Sequence, residues 1–374
     1  MAWPIPDIPE KQALSRPKLR LWVLALIIML AAGFLLSIWM LKITDYINAL
    51  LYGILPAFLL WLCTFGVVFN RYEQSVAASL SWNVEKERTK DEWRNWSRRQ
   101  LAVVGNVLFS PEEKGMKALL ADFKDVPACP QRARPLFDPL YDYPSLMKKL
   151  DLQLEKQCPH YRYLLHSIYV MQDAGKLVKK SKEAIFKQWD LVPEITDSIA
   201  PIHSFYDSNE TDGFILMLCL QDWPALAPGQ ASEFISAQLI ASPDFARQQA
   251  FPVIAALNRI MPLEPGGFTG DLNMFFEYSG ADKQSLEYIW LSGNPVKTTA
   301  DIMQYATDNN WSLPEDRPLH SIDFSFGPPG EMAIPLSLAM MVEAANETDK
   351  DQLLIYQTPQ QTGALCLITR ELYT

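Results

Sequence analysis

The chain has 374 residues, with 43 acidic against 33 basic side chains, a formal net charge of -10, and hydrophobic residues making up 49%. The first 100 residues hold 12 basic and 8 acidic side chains, so residues 101–374 carry -14, a balance that excludes a nucleic-acid surface because phosphates would be repelled. Five scattered cysteines, Cys63, Cys129, Cys158, Cys219 and Cys366, make no CxxC pair and no cysteine–histidine cluster, which excludes a zinc site and a disulfide framework.

In residues 1–18, Pro4, Pro6, Pro9 and Pro17 hold the backbone extended, and the segment reads as a structureless lead-in. A two-helix transmembrane hairpin over residues 19–70 comes next. Leu21 to Leu41 is an uninterrupted uncharged run, and at ~1.5 Å per residue its helix covers the ~30 Å hydrocarbon core of a bilayer. After Lys42 to Asp45, the stretch from Tyr46 to Phe69 is a second uncharged run of spanning length. Two adjacent runs of this kind argue against a buried helical pair in a soluble core and against a cleaved signal peptide. Gly53 and Pro56 are tolerable there, because a partner helix and local adjustment satisfy the freed carbonyl. Apart from Cys63 and tyrosines, neither run has an ionisable side chain, so the hairpin anchors and offers no ion or proton path.

Arg16, Lys18 and Arg20 precede the first run and Arg71 follows the second, whereas the connecting loop has only Lys42 against Asp45. This basic collar predicts a multi-pass protein of the bacterial inner membrane with both termini cytoplasmic. Trp22, Trp39, Tyr46 and Tyr72 lie near the ends of the runs, where aromatic rings favour the interface, making the lipid bilayer the first expected partner. Residues 71–100 contain no Gly or Pro and mix charges at helical spacing, which predicts a juxtamembrane helix continuing the second span. Its Trp82, Trp93 and Trp96 are expected to pack on the domain or at the membrane.

Residues 101–374 alternate strand and helix patterns, which predicts a cytoplasmic layered α/β domain. LAVVGNVLF (101–109) is a strand, and Ser110-Pro111-Glu112-Glu113 is a helix start leading into MKALLADF. An irregular connection over 125–145 precedes a helix from Leu146 to Gln157, a strand from Tyr161 to Met171 and a basic helix from Gly175 to Trp189. FILMLCL (214–220) reads as a strand buried on both faces. Helices over Ala231–Ala241 and Asp244–Ile260 are expected next, then paired strands at NMFFEY (273–278) and LEYIWL, which begins at Leu286, and a helix from Thr299 to Asn309. HSIDFSF (320–326) is a strand running into Gly327-Pro328-Pro329-Gly330 and an apolar helix from Glu331 to Asn346. QLLIYQ (352–357) and ALCLITREL (364–372) close the chain as a hairpin.

The opening LAVVGNVLFSPEEKGMKALLADF and the closing HSIDFSFGPPGEMAIPLSLAMMVEAA with its hairpin resemble the thiolase and β-ketoacyl synthase fold. In that family a glycine-bearing strand passes through a Ser-Pro turn into a helix, and the domain closes on strand, glycine-rich turn, buried helix and hairpin. The resemblance implies a thiolase-like domain. Its chemistry does not transfer, because a ketosynthase needs a cysteine nucleophile on a strand-to-helix elbow and two histidines. HYRYLLHSIYVMQDAGK contains no cysteine, Cys158 precedes that strand beside Pro159, and His320 has no second histidine at its turn. A catalytically inert relative is the consistent expectation.

Other chemistry is equally bare. His160, His166 and His203 show no metal spacing, the Gly327–Gly330 turn lacks the lysine of a phosphate loop, and Glu112-Glu113 and Asp349-Asp351 read as solvated carboxylates at element edges. No catalytic, cofactor or metal residue is therefore named, and no cofactor is expected. The expected function is a membrane-anchored adaptor or scaffold that presents its domain to a protein partner. Alternatives are a thiolase-like acyl-transfer enzyme and a structural subunit of a membrane complex, and an oligomer is compatible with each. The layout also looks like the membrane-bound accessory proteins of bacterial type VI secretion gene clusters, which implies a secreted effector as partner.

Overall fold

The computed structural model describes the chain except residues 1–2, 41, 43–44, 123, 130, 139–141, 173–177, 197–198, 208–211, 224–230, 294, 315–316, 361 and 374. Two compact units emerge: a helical unit, Ile5–Trp93, and an α/β unit made of Met1–Pro4 with Arg94–Thr374.

In the helical unit, α1 (Leu19–Trp39) is followed by α2 (Tyr46–Ala49), a π-helical turn (Leu50–Ile54) and α3 (Leu55–Ser97). The wide turn has a local cause. Pro56 has no N–H, and its ring crowds the carbonyl four residues back, that of Tyr52 inside the turn. Both apolar helices are long enough to cross a membrane, and only 6% of the apolar window of each is buried in the protein. Leu35 and Val67 are 65% and 68% exposed, so these side chains face outwards as lipid-facing residues do. Glycines set the helix contact: a Cβ on Gly33 would meet the Gly53 carbonyl oxygen at 2.6 Å, and one on Gly53 would meet that of Gly33 at 2.7 Å. Trp61 Nε1 donates to the Trp22 carbonyl at 2.9 Å.

The proline-rich lead-in is extended but not structureless. Trp82 Nε1 donates to the Pro9 carbonyl (3.0 Å), the Leu14 N–H donates to Ser75 Oγ (2.9 Å), and Glu10 pairs with Lys86 (3.2 Å). The segment before α1 is therefore held along the helix that continues the second apolar run, so the flanks of the two runs lie side by side.

The α/β unit is built on one mixed sheet. Its strands are β1 (Gln100–Phe109), β2 (Leu165–Gln172), β3 (Glu194–Thr196), β4 (Phe214–Gln221), β5 (Phe234–Ala241), β6 (Ala255–Asn258), β7 (Met261–Leu263), β8 (Tyr288–Gly293), β9 (His320–Ser321), β10 (Gln352–Gln357) and β11 (Gly363–Thr369). Their order is β3-β2-β4-β5-β1-β6-β11-β10-β8-β9, with β7 beside β11. This order is a duplication. With β6 and β7, which both pair with β11, counted as one strand, the third, second and fourth strands of each half are parallel neighbours, the fifth returns antiparallel, and the first lies beyond it. The halves join where β1 pairs antiparallel with β6, Leu101 opposite Leu257.

Helices α4 (Tyr143–Gln157), α5 (Val178–Trp189), α6 (Ala200–Phe205), α7 (Pro243–Gln248), α8 (Phe268–Tyr278), α9 (Pro295–Asp308), α10 (Ile322–Phe326) and α11 (Ala333–Thr348) complete the unit. Alternation along the strands sorts their side chains into two cores. Phe214, Leu216 and Leu218 pack outwards under α4, α5 and α7. Ile215, Met217 and Cys219 face a central layer dominated by α11, which also receives Leu257, Trp290 and Leu354 from the second half. Trp3 belongs to this unit: it is 4% exposed, stacks on Phe275 (5.8 Å), and donates through Nε1 to the Ile260 carbonyl.

Several sequence expectations are corrected. After β1, the expected helix MKALLADF is only a 3-10 turn, Gly115–Ala118, because Gly115 adopts φ +54° and the chain turns inwards to bury Met116. The expected strand at Tyr161–Met171 begins with a 3-10 turn, and β2 starts only at Leu165. Ala231–Ala241 is not a helix but contains β5, buried along its whole length between β1 and β4. The helix expected over Asp244–Ile260 divides into α7 and β6. NMFFEY lies in α8 rather than a strand, and LEYIWL contributes β8, which pairs with β10 and β9. HSIDFSF keeps only two strand residues before Ser321 Oγ caps the one-turn α10 by accepting the Phe324 N–H. In each case an apolar run without a decisive period took the conformation that its tertiary partners required.

Candidate functional site

The polar side chains of the central layer gather at the head of α11, around the turn Gly327-Pro328-Pro329-Gly330. Gly327 has φ +88°, and a Cβ there would meet the Arg132 carbonyl oxygen and Ser232 Oγ. Ser232 fastens the turn to the first half: its Oγ donates to the Phe326 carbonyl (2.5 Å), and its N–H donates to the Pro328 carbonyl (3.2 Å). Arg134 adds an ion pair to Glu112 (2.5 Å) and a bond to the Ser325 carbonyl (3.2 Å). Glu112, expected to be solvated, is thus half-buried and paired.

Three strand ends close this space. Gln221, the last residue of β4, is 2% exposed; its Nε2 donates to the Ser232 carbonyl (2.7 Å), while Oε1 has no partner. Asp323 of α10 accepts from Ser292 Oγ (2.8 Å) and the Gly293 N–H (2.7 Å) at the end of β8. Burial pushes its carboxyl up to about 6, against the opposing pull of those two bonds. His320 is buried against Trp290 (4.6 Å between ring centres) and Tyr288 (5.6 Å). Burial, and then the Arg317 charge, push its imidazole down to about 3, so it is neutral and a poor base. The cavity between Gln221, Ser292, Asp323 and Ser337 is about 10 Å³, the size of a water molecule and far too small for an acyl chain.

Three of the five cysteines lie in apolar cores away from this chemistry, whereas Cys129 is half-buried and its N–H donates to the Phe324 carbonyl of α10 (2.8 Å). Cys219 faces the central layer from β4 and Cys366 from β11, both about 1% exposed, and burial raises both thiols strongly. Cys158 lies in the outer core, where burial and then the Glu155 charge push it up to about 11. Among the described residues no cysteine shares a hydrogen bond with a histidine, and no cluster of His, Cys, Asp or Glu could hold a metal. His160 is exposed beside Glu155, His166 is exposed, and His203 is held below its ordinary value first by burial and then by Arg259.

A second recess of about 360 Å³ lies between the β1 end and α11, lined by Phe109, Glu113, Gly115, Leu136, Glu343 and Glu347 among others. Glu343 accepts the Met116 N–H (3.4 Å), and burial pushes its carboxyl up to about 7. Of the expected solvated pair at the other end of α11, Asp349 caps the helix and pairs with Arg370 (2.9 Å), while burial raises Asp351.

The residues expected at the membrane lie in the helical unit. Trp39 and Tyr46 are 80% and 83% exposed at the facing ends of α1 and α2, and Arg16, Lys18, Arg20 and Arg71 are all exposed. Trp22 and Tyr72 are half-buried, against Phe65 and Phe69. Sequence reasoning missed Asp323, Glu343 and Trp3; the only local signal was a lone acid within an apolar run in the first two.

No protein-family model matches the sequence, and no curated protein matches it. Solved structures do. An oxazolomycin ketosynthase domain of Streptomyces albus superposes with a TM-score of 0.53 at 11% identity, over 73% of this chain and 96% of that one. A type II polyketide ketosynthase, in complex with its acyl-carrier protein, gives 0.54 at 7% identity over 73% of this chain and all (100%) of the other. Ketosynthase twelve of the bacillaene polyketide synthase of Bacillus amyloliquefaciens gives 0.50 at 13% identity over 74% of each chain. The α/β fold is therefore thiolase-like, as the opening and closing motifs implied, and identities this low speak for the fold alone.

Proposed function

We propose that this chain is a non-catalytic adaptor, anchored in the bacterial inner membrane by α1 and the apolar part of α3, whose thiolase-like unit offers its surface to a protein partner in the cytoplasm. The burial of three of its five thiols carries this reading. Cys158, Cys219 and Cys366 sit in apolar packing that raises each thiol, whereas a nucleophile needs a thiolate stabilised by a neighbouring base or positive charge. The water-sized cavity at the head of α11 supports the same reading. The side-by-side flanks of the two apolar runs support placing both on one side of the membrane, and their basic collar favours the cytoplasmic side. The layout extends the proposal to type VI secretion, with the cytoplasmic unit meeting an effector before export.

Affinity purification from native membranes with mass spectrometry tests the adaptor: a protein partner in stoichiometric amount is expected, and recovery of only lipids and chaperones overturns it. A reporter fused after Thr374 tests the orientation, with cytoplasmic activity expected. The fold sustains one competing reading, a membrane-bound acyl-transfer enzyme. Incubation with acyl thioesters separates the two, since an acyl adduct on Cys158 or Cys219 by intact-mass measurement would establish the enzyme.

A further inference from the structure

We infer that the cavity at the head of α11 is a binding site for one ordered water molecule, which bridges the two halves of the duplicated fold. Its volume, about 10 Å³, is that of a single water probe, and its walls are polar where they need to be. Gln221 is 2% exposed and lines the cavity with an amide whose oxygen accepts nothing, although its nitrogen is bonded to the Ser232 carbonyl. A buried acceptor without a donor is costly, and an internal water is the usual remedy. Ser292, Asp323 and Ser337 supply the remaining partners. A carboxylate offers roughly four lone-pair sites, and Asp323 uses one for Ser292 Oγ and one for the Gly293 N–H. Ser337, 2% exposed on the first turn and a half of α11, brings a hydroxyl to the same space.

A water here donates one hydrogen to Gln221 Oε1 and the other to the Asp323 carboxyl, and accepts from the Ser337 hydroxyl. Gln221 ends β4 of the first half, whereas Asp323 and Ser337 flank the glycine turn of the second. Phe234, Leu336 and Met340 supply the apolar sides of the cavity. The water therefore ties the strand end of one half to the helix head of the other beside the glycine turn.

Two measurements on the full-length chain test this. A crystal structure at about 1.8 Å should show one water within about 2.7–3.2 Å of Gln221 Oε1; an empty cavity, or a Gln221 amide turned onto a protein group, would refute it. Thermal unfolding of Ser337→Val against Ser337→Ala gives an independent reading. If water occupies the site, the valine displaces it and strands both Gln221 and Asp323, and the unfolding temperature falls by about 2–4 °C below that of Ser337→Ala. In a dry cavity the added methyl groups fill a void, and Ser337→Val would match or exceed Ser337→Ala. Should Ser337→Val fail to fold, the density at Gln221 in the unaltered chain still decides.

Discussion

The two halves of the α/β unit share a strand order and differ in the helix that comes after the third strand of each. In the first half β3 leads to α6, six residues long; in the second β9 leads through α10 and the glycine turn to α11, sixteen residues long and buried over most of its length. In the first half, Tyr206 after α6 and Met116 and Leu119 from the turn after β1 join the same central layer. Duplicated topology thus conserves hydrogen-bonded pairing, while the central layer is packed by whichever segment supplies apolar volume. The second half supplies the long buried helix of the central layer, while the first packs an outer core of its own under α4, α5 and α7.

The weight carried by the second half is greatest to test at Trp3, which packs on Phe275 and bonds Ile260 there. Trp3→Ala should lower stability by about 3–5 kcal/mol, read by chemical denaturation of the full chain, and a negligible loss would show the lead-in to be dispensable. Next, Leu338→Ala in α11 should cost about 2–5 kcal/mol and exceed the loss from Phe205→Ala in the partly buried α6; equal losses would break the asymmetry.

A smaller effect is expected from pH. Glu343 is raised from 4.5 to about 7 and Asp323 from 3.8 to about 6, so the folded state holds these protons longer than the unfolded chain does. Their stabilisation is complete below the unfolded values, declines as pH rises through about 6 and 7, and is lost above. His320 has the opposite sign: its contribution is present above 6.5 and lost as pH falls towards about 3. Unfolding temperatures at pH 5 and 8 should fall between the two for the unaltered chain, and Glu343→Gln should reduce that fall by about 2–4 °C. The smallest effect belongs to Lys117–Glu347, a half-exposed pair at 3.0 Å, where Lys117→Ala should change stability by less than about 1 kcal/mol.

Part of this fold was legible without coordinates because the signal was local. An unbroken uncharged run, the length of β4, the α4 helix and the glycine turn before α11 are each written within about twenty residues. The thiolase-like resemblance rested on β1, the glycine turn, α11 and the closing hairpin, segments that each carry their pattern locally. Of the site, the sequence signalled the glycine turn. Gln221 and Asp323 were invisible, because neither residue type announces a burial imposed by strands and turns distant in the chain.

The sequence by itself determined the two apolar runs, the acidic balance of the domain and the turn chemistry of Gly327 to Gly330, since length, charge and the need for φ > 0 act through neighbouring residues. Only the tertiary structure decided that FISAQLIA is a strand, that NMFFEY is a helix, that Trp3 is buried and that the two halves divide the central layer unequally. An apolar run of five to eight residues is compatible with either periodicity, and its conformation is settled by the partners that bury it.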